Sequence, residues 1–383
     1  MKIHTILSAA IILGLTPIAH SENTPAIMSL GERLYFDSNL SKPAGQSCAS
    51  CHLPGAGFAD PDRELPVSRG VHPDRFGNRN TPSAAYALYS PRFHFDPVEN
   101  AYIGGQFWDG RAGTLEEQAK GPFLNPVEMA NADEAAVIEK IRKATYAGEF
   151  RAIFGAGSLR DVATAYEFVA QAIASFERSK SFRAFSSKYD FYLAGKLQLT
   201  EQEALGLKLF EAEDKGNCAA CHPSRIGDSA DPPLFTDFTY DNLGVPVNPD
   251  NPFYTQPSAF NPKGTDAIDI GLAGTTGRSE DRGKFKVPTL RNIELTPPYM
   301  HNGLMKTLRE VVDFYNTRDT RTDWGPAEVA ENINTEELGN LGLTNDEVDA
   351  IVVFMLTLTD GYQASPDQSR VEIKSTPVSG FEH

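Results

Sequence analysis

The sequence predicts a mainly α-helical protein made of two similar halves, with long irregular loops around the helices. Three observations support this fold class. A Thr followed three residues later by Glu, the pattern of a capped helix start, occurs at Thr114, Thr200, Thr307 and Thr344. A short motif with two cysteines occurs twice, at residues 47–52 and 217–222. No segment carries a convincing strand pattern.

The helices follow from hydrophobic periodicity together with these caps. In the first half, periodicity predicts helices at residues 30–36, 135–143 and 161–178, and Thr114 starts another. In the second half, the predicted helices start at Thr200, Thr307 and Thr344. Residues 226–286 are rich in Pro, Gly, Asn and Asp, so we expect long loops there that wrap a site or a partner surface.

Both cysteine motifs have the form C-x-x-C-H and together use all four cysteines of the chain: Cys48, Cys51 and His52, then Cys218, Cys221 and His222. Two disulfides, or one four-sulfur zinc site, would leave both histidines unexplained. Covalent haem c accounts for all six residues, because each cysteine pair forms thioethers to the haem and the following histidine binds the iron. The sequence therefore predicts two covalently bound haem c groups in two cytochrome c-like haem domains.

The segments ahead of the two motifs also repeat. Residues 30–36 read LGERLYF and residues 205–210 read LGLKLF, so both predict a short amphipathic helix whose leucines pack beside a haem. We expect a signal peptide at 1–21, an N-terminal haem domain at 22–195 and a C-terminal haem domain at 196–383. The boundary between the two domains is predicted near Gly195.

The first residues predict export. Lys2 precedes an apolar stretch at residues 6–18, and Ala19 and Ser21 suit a cleavage site before Glu22. We therefore expect a periplasmic protein with no membrane span, because no other apolar run approaches the roughly 20 residues that a membrane helix needs. The formal net charge of −16 argues against nucleic acid as a partner.

Four further motifs make a family resemblance specific. They are FWDGR at 107–111, NPVEM at 125–129, KVPTLRN at 286–292 and PYMHNG at 298–303. Together with the two haem motifs, they resemble the bacterial di-haem cytochrome c peroxidase family, in its MauG-like branch. The resemblance covers about residues 30–359 and implies an enzyme that reacts with hydrogen peroxide.

The resemblance assigns the peroxide reaction to the N-terminal haem. It implies His52 as the proximal ligand, Glu128 as the base that moves a proton between the peroxide oxygens, and Gln118 as a hydrogen-bonding partner. His72 is either a switch ligand that closes this haem until reduction, or an ordinary loop histidine. Trp108 matches a tryptophan between the two haems that passes an electron or a hole, and the alternative is a packing role.

For the second haem, the resemblance implies His222 as one ligand. Classical members place a Met in the helix after PYMHNG, but the helix that starts at Thr307 contains none. Its periodicity turns Tyr315 inward, and the resemblance to the MauG-like branch implies that Tyr315 is the other iron ligand. Met300 and Met305 remain the methionine alternatives.

The resemblance also implies one calcium ion between the haems. The matching positions are Asn80, Thr296 and Pro298, which would offer a side-chain oxygen and backbone carbonyls. Oxygen ligands suit calcium, although three protein groups would need water to complete its shell.

The implied function is formation of a high-valent di-haem state by hydrogen peroxide, followed by oxidation of a Trp or Tyr side chain on a periplasmic protein substrate. The first alternative is a classical peroxidase that draws electrons from a cytochrome c or cupredoxin donor. The second is a non-catalytic di-haem electron carrier. No Trp lies just before the second haem motif, where the MauG-like branch has a surface Trp. The exit route for charge should therefore differ here.

Overall fold

The computed structural model describes residues 24–226 and 232–363, and the predicted signal peptide lies outside these residues. Its helices are α1 Pro25–Phe36, α2 Cys48–Cys51, α3 Leu115–Leu124, α4 Glu134–Lys143, α5 Ala147–Phe154, α6 Val162–Glu177, α7 Lys188–Leu193, α8 Glu201–Glu211, α9 Ala273–Thr276, α10 Leu308–Thr317 and α11 Asn345–Leu356. The mainly α-helical prediction is confirmed. Within the two described ranges, no helix is both long enough and apolar enough to cross a membrane.

The structure also contains two short antiparallel strand pairs. In the first, β1 His94–Asp96 pairs with β2 Ala101–Ile103. In the second, β3 Tyr240–Asp241 pairs with β4 Phe285–Lys286. The sequence prediction missed them because strands of two or three residues are too short to show an alternating pattern.

Buried side chains form two separate hydrophobic cores. The first runs from Ile27 to Phe182 along the chain and the second from Tyr189 to Leu358. In the first, α1 packs on α6, which also contacts α3 and α4, and in the second α8 and α10 pack on α11. Tyr189 of α7 already belongs to the second core. The domain boundary near Gly195 stays a prediction.

The repeated Leu-Gly pair lies where two helices cross in each half. A Cβ added to Gly31 would collide with the carbonyl oxygen of Ala172, and one added to Gly206 would collide with that of Ala350. Only glycine lets the two backbones approach this closely. The repeated Leu-Gly pair therefore marks the same kind of helix crossing in both halves, where α1 crosses α6 and α8 crosses α11.

The two copies of the repeat differ in the burial of their first leucine. Leu30 is completely buried, whereas Leu205 is 45% exposed. In the first half α5 packs against α1, but in the described part of the second half no helix takes the corresponding place on α8. The prediction that both leucines of the second helix pack beside a haem was therefore wrong for Leu205.

The predicted helix caps form largely as expected. Thr200, Thr307 and Thr344 each make the full reciprocal capping box with a Glu three residues later. Thr114 makes only half of it, because its hydroxyl accepts from the Glu117 N–H while the Glu117 carboxylate accepts from the N–H of Gly113.

The long loop before β4 wraps onto loops of the first half. The side-chain amide of Gln256 bonds to both backbone groups of Phe76, at 2.8 Å each. Asp269 receives two hydrogen bonds from Arg79, at 2.6 and 2.7 Å. These contacts hold the segment around Arg79 against the second half, where the site is built.

The helix crossing gives a stability prediction. We expect Gly206→Ala to lower the free energy of unfolding by about 1–3 kcal/mol, the usual cost of overpacking, because the new methyl group meets backbone rather than a movable side chain. Denaturant unfolding of the purified protein measures the change. The matched control is Gly148→Ala in α5, where an added Cβ has open space and stability should hold or rise slightly. Equal stability of Gly206→Ala and the parent would contradict the close crossing.

Candidate functional site

The second C-x-x-C-H motif opens onto one large cavity. Cys218, Cys221 and His222 line it together with Tyr315 and Trp108, and about 260 Å³ is available to the centre of a water molecule. Most of the wall surface is apolar, and α10, α11 and the KVPTLRN segment contribute to it together with many loop residues. A cavity of this kind suits a large apolar ring that is attached at one edge.

The two motif histidines are held in the same way. His52 Nδ1–H donates to the carbonyl oxygen of Phe58 at 3.1 Å, and His222 Nδ1–H donates to that of Phe235 at 2.7 Å. This bond leaves the Nε2 lone pair free for a metal. Desolvation by the surrounding protein lowers both pKa values, that of His222 to about 4. Both imidazoles are therefore neutral at pH 7, as metal binding requires.

The four cysteines form neither a disulfide nor a shared metal site. No disulfide joins the four cysteines, and the described residues contain no cluster of His, Cys, Asp or Glu that could hold a metal ion by itself. Desolvation raises the pKa of the Cys51 and Cys218 thiols to about 12. A cysteine pair without a disulfide, followed by a histidine whose Nε2 is free, fits covalent haem attachment better than disulfide or zinc chemistry.

Two polar groups of the cavity wall fit the carboxylate edge of a haem. The Lys286 ammonium donates to the Gly105 carbonyl oxygen at 2.6 Å, and desolvation lowers its pKa to about 8. His301 Nε2 is buried without a hydrogen-bond partner, and Glu328 Oε2 lies 3.7 Å away. No role was predicted for either residue, although Lys286 belongs to the KVPTLRN motif and His301 to the PYMHNG motif. The cationic side chain of Lys286 and the imidazole of His301 could have suggested a binding role.

Haem attachment gives a direct test of the two motifs. We expect the purified protein to carry two covalent haems, and Cys48→Ala or Cys218→Ala to impair attachment only at its own motif, because each thioether forms at one cysteine. Intact-protein and peptide mass spectrometry measure both. An unmodified polypeptide, or a single haem in the parent protein, would contradict the assignment.

Helix α10 turns one face to the cavity. Its lining residues are Leu308, Val311, Val312 and Tyr315. Desolvation raises the pKa of the Tyr315 phenol far above its usual value, and the nearby thiols of the motif raise it further. Tyr315 thus faces the same space as His222.

The methionine alternatives divide between cavity and core. Met300 lines the cavity, whereas Met305 is buried in the second core outside the lining. Met355 of α11 also lines the cavity. Met355 was not predicted as a candidate ligand, because it lies far from the PYMHNG motif in the sequence.

Trp108 is fixed in the wall of this cavity. Its indole N–H donates to the carbonyl oxygen of Asn80 at 2.8 Å, and its own carbonyl oxygen accepts from the N–H of Lys286 at 2.8 Å. Asn80, Thr296 and Pro298 line the same cavity. The three residues suggested for calcium therefore lie around one space with Trp108, and calcium binding stays a prediction.

Glu128 lies beside the first haem motif. Its charge acts on the thiols of both Cys48 and Cys51. Desolvation raises the pKa of Glu128 above its usual value, and Arg111 opposes this rise. Asn125 Nδ2 donates to Glu128 Oε1 at 2.7 Å. The carboxylate is therefore near the motif and held in one orientation.

Gln118 and His72 were also suggested for the first site. Gln118 is half-buried on α3, but among the described residues Asn125 makes the hydrogen bond to Glu128 that was suggested for Gln118. No role was predicted for Asn125, although Asn125 is the first residue of the NPVEM motif. The N–H of Val71 donates to the Glu128 carbonyl oxygen at 2.9 Å, so the loop that carries His72 lies against the loop of Glu128.

Known proteins that are similar to this chain point to one family. A family model described as di-haem cytochrome c peroxidase matches residues 25–198. The chain is 41% identical to the methylamine utilization protein MauG of Paracoccus denitrificans, over 91% of this chain and 92% of that protein. It is 32% identical to the cytochrome c551 peroxidase of Nitrosomonas europaea, over 86% of this chain and 79% of that protein.

Solved structures show the same similarity. The diheme peroxidase BthA from Burkholderia thailandensis is 36% identical, with a TM-score of 0.78 over 88% of this chain and 87% of that one. Its tyrosine-to-methionine variant is 35% identical, with a TM-score of 0.80 and the same coverage of both chains. A MauG-like protein associated with microbial copper homeostasis is 29% identical, with a TM-score of 0.68 over 90% of this chain and 92% of that one.

Proposed function

Because the chain belongs to the di-haem cytochrome c peroxidase family, we propose that this peroxidase-type oxidoreductase uses hydrogen peroxide to oxidise a Trp or Tyr side chain of a periplasmic partner protein. The observation that carries the proposal is Tyr315, which lines the cavity of the second haem motif on the helix where a Met was the classical expectation. When bound, the two haems supply the irons that react with peroxide and store its oxidising equivalents.

At the first site, the residues of the chain manage a proton. Glu128 as a carboxylate accepts the proton of the inner peroxide oxygen and delivers it to the outer one, which leaves as water. Desolvation raises the pKa of Glu128, which brings acceptance and release of the proton closer in energy, and the charge of Arg111 opposes this rise. The hydrogen bond from Asn125 orients the carboxylate for both transfers.

At the second site, a tyrosine ligand favours oxidised states of iron. The raised pKa of the Tyr315 phenol reflects the cost of an uncompensated phenolate in this position. A bound metal cation reverses this cost, as cations do for the groups that they coordinate. With His222 as the second ligand, Tyr315 makes this haem suited to hold an oxidising equivalent.

The FWDGR loop connects the two sites. Trp108 lines the cavity of the second motif, while Arg111 acts on the pKa of Glu128 beside the first. The Arg111 guanidinium also lies 3.6 Å from the centre of the Phe107 ring, which stiffens the loop. These contacts support Trp108 as the residue that passes charge between the haems.

We extend the proposal to a calcium ion and to location. Calcium at Asn80, Thr296 and Pro298 would steady Trp108, because the indole is bonded to the Asn80 carbonyl group. A periplasmic location follows from the signal sequence expected at residues 1–21 and from the covalent haem chemistry.

A classical peroxidase that uses a cytochrome c or cupredoxin donor is the second candidate. Met300 and Met355 line the same cavity as Tyr315, so a thioether ligand is available to the second iron.

Stopped-flow mixing of the as-isolated protein with hydrogen peroxide tests the proposal. We expect an absorption change at both haems without prior reduction, because an open face at the first iron and a Tyr315 ligand at the second would make both sites ready to react. A reaction that requires prior reduction favours the classical peroxidase, and no reaction in either state leaves only an electron carrier.

A further inference from the structure

We propose that Trp324 is the residue through which oxidising equivalents leave the second haem site for the partner protein. The inference rests on the proposed function and names the surface at which it acts. The chain has two tryptophans, and Trp108 lines the cavity. Trp324 lies in the loop after α10, partly accessible and flanked by the exposed residues 319–323 and 325–326. It is therefore the tryptophan that a partner can reach.

A short line of aromatic rings connects Trp324 to the site. The Trp324 and Phe314 ring centres are 5.4 Å apart, and those of Phe314 and Tyr315 are 6.4 Å apart. Phe314 is completely buried, so the gap between the two oxidisable residues is filled by protein. Phenylalanine is too hard to oxidise and only transmits the electron, whereas indole and phenolate side chains lose electrons most readily. The route thus has one intermediate ring between the proposed iron ligand and the surface.

The position of Trp324 stabilises a positive charge on its ring. The indole N–H donates to Thr317 Oγ1 at 3.0 Å, and Thr317 is the last residue of α10. A helix C-terminus carries a partial negative charge, which favours a cation beside it. The Arg321 guanidinium lies 4.9 Å from the ring centre and opposes this effect, but its charge is paired with the Asp323 carboxylate.

The electrons balance without a further reactant. Trp324 gives one electron towards the second site and becomes an indole radical cation. Its N–H proton stays, because the Thr317 hydroxyl is a weak base. An electron from the partner side chain then restores the indole. Two such transfers, with two protons, convert one hydrogen peroxide into two water molecules.

A second aromatic line ends elsewhere. Tyr102 stacks on Phe93 at 5.2 Å, and Phe93 contacts Tyr240 at 6.0 Å. The Tyr240 hydroxyl fills the space where a Cβ on Gly110 would lie, so this line reaches the FWDGR loop. Among the described residues, however, the ring contacts of Tyr240 do not continue to a residue that lines the cavity. Trp324 is thus the better connected exit, and Tyr102 is the natural control.

Spin trapping tests the assignment. The purified holoprotein is treated with hydrogen peroxide and 2-methyl-2-nitrosopropane in the absence of a partner, and peptide mass spectrometry locates the adduct. We expect it on Trp324. Trp324→Phe, which keeps a ring against Phe314, should lose the adduct at this position and most of the peroxide-dependent oxidation of ferrocytochrome c. Trp324→Tyr should recover both, since a phenol can be oxidised and a merely structural role would not select for that property.

The control is Tyr102→Phe, in which the adduct and the oxidation of ferrocytochrome c should match the parent. An adduct on Tyr102 with Trp324 unlabelled would overturn the inference and leave the proposed function standing. If the haem absorption of the parent does not respond to peroxide, the proposed function itself fails. If Trp324→Phe does not fold, the site of the adduct in the parent and the behaviour of Trp324→Tyr still decide.

Discussion

We expect replacement of Glu128 by Gln to slow the reaction with hydrogen peroxide by about 10²–10⁴, the usual contribution of a general acid–base group. The amide has the size of the carboxylate but accepts no proton. The hydrogen bond from Asn125 ends on Oε1, an atom that the amide retains, so the local structure should survive. Stopped-flow absorption measured under pseudo-first-order peroxide gives the rate directly.

The pH dependence of the same rate identifies the group. Only the carboxylate accepts the proton, so the parent loses activity as the pH falls through the pKa of Glu128. Because desolvation raises that pKa, the loss should begin at a higher pH than for an exposed glutamate. Glu128→Gln should lack this acidic limb, and Glu99→Gln on the exposed β1–β2 turn should behave like the parent. Unchanged kinetics in Glu128→Gln would transfer the role to Gln118 or His72.

We expect replacement of Tyr315 by Phe to abolish oxidation of a protein partner while peroxide still reacts at the first haem. The change removes the oxygen donor and keeps the ring against Phe314. Met300, Met355 or water can then occupy the iron position, and loss of the anionic ligand should raise the potential of this haem. Spectroelectrochemical titration measures the potential, and electron paramagnetic resonance reports the change of ligand.

The control for Tyr315 is Tyr102→Phe, which removes a phenol outside the cavity lining and should leave both signals unchanged. A contrary result is equally specific. If the parent shows a methionine charge-transfer band and a high potential at the second haem, Tyr315 is not the ligand and the classical peroxidase is the function.

Local chemistry explains which features could be predicted. A haem c motif needs two cysteines and a histidine within five residues, so the spacing alone suggests the cofactor. Capping boxes span four residues, and three of the four predicted ones form in full. The helical periodicity of α10 was enough to predict that Tyr315 faces inward, and Tyr315 lines the cavity. The family motifs added Glu128 and Trp108, which no local pattern would have singled out.

Contacts between distant segments were decided by the tertiary structure. The carbonyl groups of Phe58 and Phe235 orient the two histidines, and neither residue carries a sequence signal for this. Asn125 rather than Gln118 holds Glu128. Leu205 repeats the sequence of Leu30 but is exposed, because its burial depends on which helix packs beside it.

The sequence by itself predicted two haem attachment motifs and determined the helices between them and the inward side of α10, since each depends on residues within a turn or two of one another. Only the tertiary structure brought Trp108, Tyr315, Lys286 and His301 to the cavity of His222. These residues come from segments far apart in the chain. Packing of both cores and the long wrapping loop sets their distances, and no local pattern encodes such packing.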